Sequence, residues 1–165
     1  MPEQGTLPSP DALSKVLSDL LMERRVSVSK SAPMRFHPPA PFVLATYKSE
    51  DGKSAVVCVS DLALASAASA ALTVIPPKVA AESVRTGRLS EELAENLHEI
   101  FNVCAGLFYR PDAPHFALEG VTVQSKPLSG PLAGAMARPR GRCDFEVSIS
   151  GYSSGKLSIW AIDVG

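Results

Sequence analysis

Residues 94–108 read AENLHEIFNVCAGLF. At about 100° per residue, Leu97, Ile100, Phe101, Cys104, Leu107 and Phe108 fall on one broad arc, with Leu93 from the preceding turn. Glu92, Glu95, Glu99, Asn102 and Gly106 fall on a narrow opposing stripe. The spacing predicts a helix over roughly 89–108 whose arc is buried and whose stripe faces outward. Ser90 is its N-cap, and Glu91, Glu92 and Glu95 sit near the positive end of the helix dipole. Pro111 and Pro114 close the segment.

A helix buried along one side needs a surface to lie on, and the flanking chain offers strands. FVLATYK (42–48) and SAVVCVS (54–60) are β-rich runs joined across an Asp-Gly turn, a hairpin signal. CDFEVSIS (143–150) and KLSIWAIDV (156–164), joined by GYSSG, form a second hairpin. VSVSKS (26–31) alternates cleanly, and HFALEGVTVQS (115–125) reads as a strand with an irregularity at Gly120. Between the first strand and the first hairpin, PMRFHPPAP (33–41) carries four prolines in nine residues.

Ser9-Pro10-Asp11 opens an earlier helix, with Leu13, Val16, Leu17, Leu20 and Leu21 on one face. Asp61 caps another over 62–75, whose Ala, Leu and Ser content implies close packing until Pro76 and Pro77 stop it. Residues 79–84 form a short helical turn. Residues 1–9 are expected to be a flexible tail, and 10–165 one domain with a mobile, Pro/Gly-rich loop at about 126–142. Lys126, Arg138, Arg140 and Arg142 make that loop locally basic, read as a solvated surface. The expected class is α+β: two layers, with helices on one face of a mainly antiparallel sheet.

The chain of 165 residues is long enough for one real core, and its net charge of −1 gives no global attraction to nucleic acid or an anionic membrane. Three well-separated cysteines offer no Cys-x-x-Cys pair, and Cys58 and Cys104 sit in apolar runs as buried thiols, which favours a reducing compartment. His37, His98 and His115 lack metal-ligand spacing. The N-terminus has no signal-peptide pattern, and the longest apolar run is too short to span a bilayer, so a cytoplasmic location is expected. No Gly-x-Ser-x-Gly, Rossmann or Walker pattern occurs.

The exposed face of the 94–108 helix has an ordinary explanation, since outward faces are commonly charged. Two features stand against it. Mid-helix Asn competes with its own backbone, and Glu95 and Glu99 are like charges at i, i+4 with no Lys in the stripe. ENLHEIFNVCAG resembles the signature helix of the CheC/CheX/FliY phosphatases of bacterial chemotaxis. Their motif runs acidic or Ser, three residues, Glu, two residues, Asn, with a later Pro. Glu95, Glu99 and Asn102 match the helical positions, and Pro127 stands two residues beyond the family spacing. The first acidic position is Glu where relatives usually have Asp or Ser, and His98 stands where they usually have a small residue. The specific match covers about one helix, while the order of elements agrees more widely. SDLALASAASAAL holds no second Glu-x-x-Asn, so the resemblance is to the single-site CheX type.

The resemblance implies a CheC-like fold and hydrolysis of the aspartyl phosphate of a response-regulator receiver. Asn102 would orient the attacking water, and Glu99 would pair with the receiver's Lys. Glu95 would sit at the rim, with Val103 and Gly106 on the contact surface. No cofactor is expected on this chain; Mg²⁺ is expected on the partner receiver. A homodimer is also in keeping with the resemblance. Two other readings remain open: a catalytically silent adaptor that docks a receiver or another signalling protein, and a structural subunit that associates through a free sheet edge, such as the terminal hairpin.

Overall fold

The structure is a computed structural model that describes residues 7–164. In order it contains α1 (Pro10–Leu20), β1 (Val26–Lys30), β2 (Phe42–Ser49), β3 (Ser54–Asp61), α2 (Leu62–Leu72), α3 (Pro77–Thr86), α4 (Glu91–Cys104), β4 (Phe116–Gln124), α5 (Gly130–Met136), β5 (Gly141–Ile149) and β6 (Gly155–Asp163). The six strands form one antiparallel sheet in the order β1-β5-β6-β3-β2-β4. The α+β class with an antiparallel sheet is as the sequence implies. Residues 1–6 of the expected tail lie outside the described residues; Leu7 packs on the core and Pro8 is buried.

Local chemistry sets the elements. The Ser9 hydroxyl accepts from the Ala12 N–H at the start of α1, and Pro10 fits the first turn, where its missing N–H costs nothing. Asp61 caps α2 by accepting from Leu64 N–H. α2 is buried nearly all round, which explains its Ala/Ser/Leu composition: it lies between the sheet and helices α3 and α4. It stops at Leu72, three residues before the expected end. The helical turn expected at 79–84 is the longer α3, closed by Gly87 at φ +74°. The irregularity at Gly120 is a bulge: Thr46 pairs with Gly120 and Tyr47 with Leu118, so Glu119 is skipped.

The main core lies between the sheet and α1, α2 and α4. The other sheet face carries a second, smaller apolar layer. Phe42, Leu44, Val57, Val59 and Ile162 pack there against Met34, Phe36, Leu132 and Met136. With both faces covered, β2 and β3 are apolar almost without alternation.

Three expectations are corrected. The stretch 126–142 is not loop throughout: α5 and the start of β5 fall inside it, with Met136 buried. Gly130 and Pro131 look like loop residues, but Pro is tolerated in a helix's first turn. Nor are its basic residues all solvated. Arg140 pairs with Asp163 at 3.0 Å, and Arg142 donates to both Asp144 oxygens at 2.9 and 3.1 Å. Finally, the terminal hairpin is not a free edge. β6 lies between β5 and β3, and β1 covers β5, which leaves β1 and β4 as the edges.

Candidate functional site

α4 is held down along its whole length. Leu93, Leu97, Ile100, Phe101 and Cys104 are buried. Ser90 accepts from Leu93 N–H at the start. Asn96 ties the middle to α2, its amide donating to the Ser69 carbonyl and the Thr73 hydroxyl, both at 2.9 Å.

The far end is fixed differently. The Ala105 N–H bonds back to the carbonyl of Asn102, not to that of Phe101, as the helix tightens into a 3₁₀ turn over Ala105–Phe108. The buried Tyr47 hydroxyl instead donates to the Phe101 carbonyl at 2.5 Å. Phe108 packs edge-on against the Tyr47 ring, centroids 5.0 Å apart. Burial pushes the Tyr47 phenol well above its usual range, so it stays a donor at any ordinary pH. Tyr47→Phe keeps the ring and strands the carbonyl. It is expected to cost about 1–2 kcal/mol in urea unfolding, and an unchanged unfolding midpoint would refute this anchoring role.

On this fixed support the outward stripe is free. Glu95, Glu99, Asn102, Val103 and Gly106 are all exposed. Among the described residues, neither Glu95 nor Glu99 enters an ion pair. Helical rise puts Glu95 and Asn102 about 10 Å apart along the axis. Pro127 is not brought to this stripe: it borders a recess with Leu128, Met136 and Trp160 on the second sheet face.

Chemically the stripe is a row of acceptors, with the Asn102 amide its one strong donor. It can hold a water but offers no cation to a phosphate. Nucleophilic thiols are no better provided for. Cys104, beneath the stripe, is pushed up to about 12 by burial, and burial raises Cys58 as well. Cys143 also rises to about 12, chiefly through burial. Among the described residues no cluster of three potential metal ligands exists, and no helix is long and apolar enough to cross a membrane.

Comparison with solved structures identifies the fold. A chain of the FliM–SpeE complex from H. pylori superimposes with TM-score 0.65 at 11% identity, covering 93% of this chain and 81% of that one. A chain of the CheX–CheY–BeF3–Mg²⁺ complex from Borrelia burgdorferi gives 0.57 at 15% identity, covering 92% and 94%. FliY from Thermotoga maritima gives 0.56 at 14% identity, covering 98% and 87%. The chain has the CheX/FliY/FliM fold. No family model matches the sequence, and no curated protein sequence does. The CheC-like α+β fold expected from the helix motif and the order of elements is thus matched over nearly the whole chain.

Sequence reasoning found the exposed stripe on α4 but not its supports. Asn96 reaches partners 27 and 23 residues away, which helical spacing cannot reveal. Tyr47 did carry a signal: a polar-tipped ring inside an apolar strand needs a hydrogen-bond partner.

Proposed function

We propose that the chain is a CheX-like phosphatase for the aspartyl phosphate of a response-regulator receiver domain. The observation that carries this reading is the joint exposure of Glu99 and Asn102 on a helix tied to α2 at Asn96 and to β2 at Phe101. The Asn102 carbonyl accepts from a water and its NH₂ donates to a phosphoryl oxygen. The water oxygen bonds to phosphorus as the acyl P–O bond breaks. The receiver's carboxylate is regenerated, and inorganic phosphate leaves with the proton the water gives up. Charge on the phosphoryl group is met by the receiver's own Mg²⁺ and Lys, which an acceptor-rich stripe needs its partner to supply. Glu99 pairs with that Lys and sets the docking, Glu95 forms the rim, and Val103 and Gly106 give the flat contact.

The test is phosphate release from phosphorylated receivers of two-component circuits. Wild type accelerates release, and Asn102→Ala lowers the acceleration about 100-fold, the scale of losing a positioned reactant. Equal rates for the two proteins exclude catalysis by this residue. A second reading, a silent adaptor, is favoured by the likeness to chains from the FliM–SpeE and FliG–FliM complexes. It is the result indicated by tight receiver binding with no acceleration by either protein.

A further inference from the structure

We infer that a cleft on the second sheet face, away from α4, binds a small organic anion that joins a phosphate or carboxylate to a flat apolar ring. The cleft holds about 470 Å³ and lies where β2 and β6 begin and β3 ends, beneath the Pro-rich segment 33–41. That volume suits a ligand of mononucleotide size.

Its lining divides into two kinds. Phe36, partly exposed and backed by the buried Phe42 ring at 5.3 Å with planes 12° apart, supplies an aromatic surface. Arg35, His37 and Lys156 supply donors, and all three are exposed. Among the described residues none of the three enters an ion pair. Lys156 stands across from Glu146 on β5 without pairing to it. One acid lines the cleft, Asp61, and its oxygens are already taken: Oδ1 accepts from Leu64 N–H and Oδ2 from Lys156 N–H. Arg35 and Lys156 therefore border the space without an ion-pair partner, with the Asp61 carboxylate engaged by the two backbone N–H groups.

The wall is also held in place. Met34 N–H donates to Asp144 Oδ1 at 2.8 Å, and Arg142 Nη2 donates to the Met34 carbonyl at 2.7 Å. The Asp144 side chain is only 7% exposed, and the Arg142 guanidinium lies 3.9 Å over the Trp160 ring. A largely buried ion pair thus fixes the main chain of a segment that four prolines keep out of regular structure. A solvated loop has no need of such an anchor, whereas a preformed binding wall does. A flat aromatic surface beside the Arg35 guanidinium and the Lys156 ammonium suits a ring bearing an anion.

The test is amide chemical-shift titration of the full chain with phenyl phosphate, benzoate, inorganic phosphate and phenol as separate probes. Phenyl phosphate or benzoate is expected to shift Arg35, Phe36 and Lys156 saturably, and which of them binds tighter separates phosphate from carboxylate recognition. Inorganic phosphate and phenol, each lacking half the chemistry, are expected to bind at least about tenfold more weakly. The exposed double variant R35E/K156E is expected to lose binding at least about tenfold while keeping the wild-type spectrum elsewhere. Absence of saturable shifts at these residues overturns the inference. So does inorganic phosphate binding as well as phenyl phosphate, or the double variant binding like wild type. None of these outcomes bears on α4, so this site and the phosphatase reading stand or fall separately.

Discussion

Gly155→Ala is expected to melt about 5–15 °C below wild type, a loss of about 2–4 kcal/mol in a domain of this size. Gly155 opens β6 directly against the start of α2. A Cβ there would lie 2.6 Å from the Leu64 nitrogen and 2.7 Å from its Cβ, with the Asp61 carboxylate oxygen nearer still. None of these is the far end of a flexible chain. The Leu64 backbone belongs to the first turn of a helix buried nearly all round, and Asp61 is clamped by two backbone N–H groups. Relief requires moving α2 off the sheet or breaking its cap, which alone is worth about 1 kcal/mol. Asp61 is sensitive on its own account, since burial already raises its carboxyl above the usual range. Gly134→Ala is the control. It has nothing within 4 Å of the added methyl and lies in α5, so it should hold or slightly raise the melting temperature. A Gly155→Ala midpoint within about 2 °C of wild type would sink the argument.

Strong periodicity made much of this fold legible. The arc from Leu93 to Phe108 and the two hairpins carried their own pairing instructions, and the Gly120 bulge showed as a break in alternation. What stayed hidden depends on contacts between distant segments. α5 has a composition ordinarily read as loop, and its reason to be helical is Met136 packing under Trp160 in the second apolar layer. Arg142 looks solvent-directed until Asp144, Met34 and Trp160 are placed round it. The candidate site divides the same way. Exposure of Glu95, Glu99 and Asn102 follows from spacing within one helix, while the anchors at Asn96 and Tyr47 need partners from α2 and from α4 itself folded against β2. The aromatic cleft under residues 33–41 had no periodic trace, because prolines remove the period that would announce it.

Glu99→Lys is expected to abolish receiver binding, by more than about 100-fold, while making the protein slightly more stable. The opposite signs are the point. In the free chain Glu95 and Glu99 repel across one helical turn, and neither is relieved by an ion pair among the described residues. Lys at position 99 turns that repulsion into a Glu–Lys pair in the favourable N-to-C order, a gain of about 0.2–0.5 kcal/mol. In the docking proposed above, the same change would set a cation against the receiver's Lys, and like charges facing each other across an interface cost several kcal/mol. Loss of function therefore cannot come from unfolding. The variant should also bind better as salt rises, since screening weakens a repulsion, whereas wild-type binding should weaken. Asn102→Ala supplies the complementary case: binding kept, turnover lost. Binding by Glu99→Lys within twofold of wild type would remove Glu99 from the interface, and a melting temperature well below wild type would show that the stripe carries a structural contact instead.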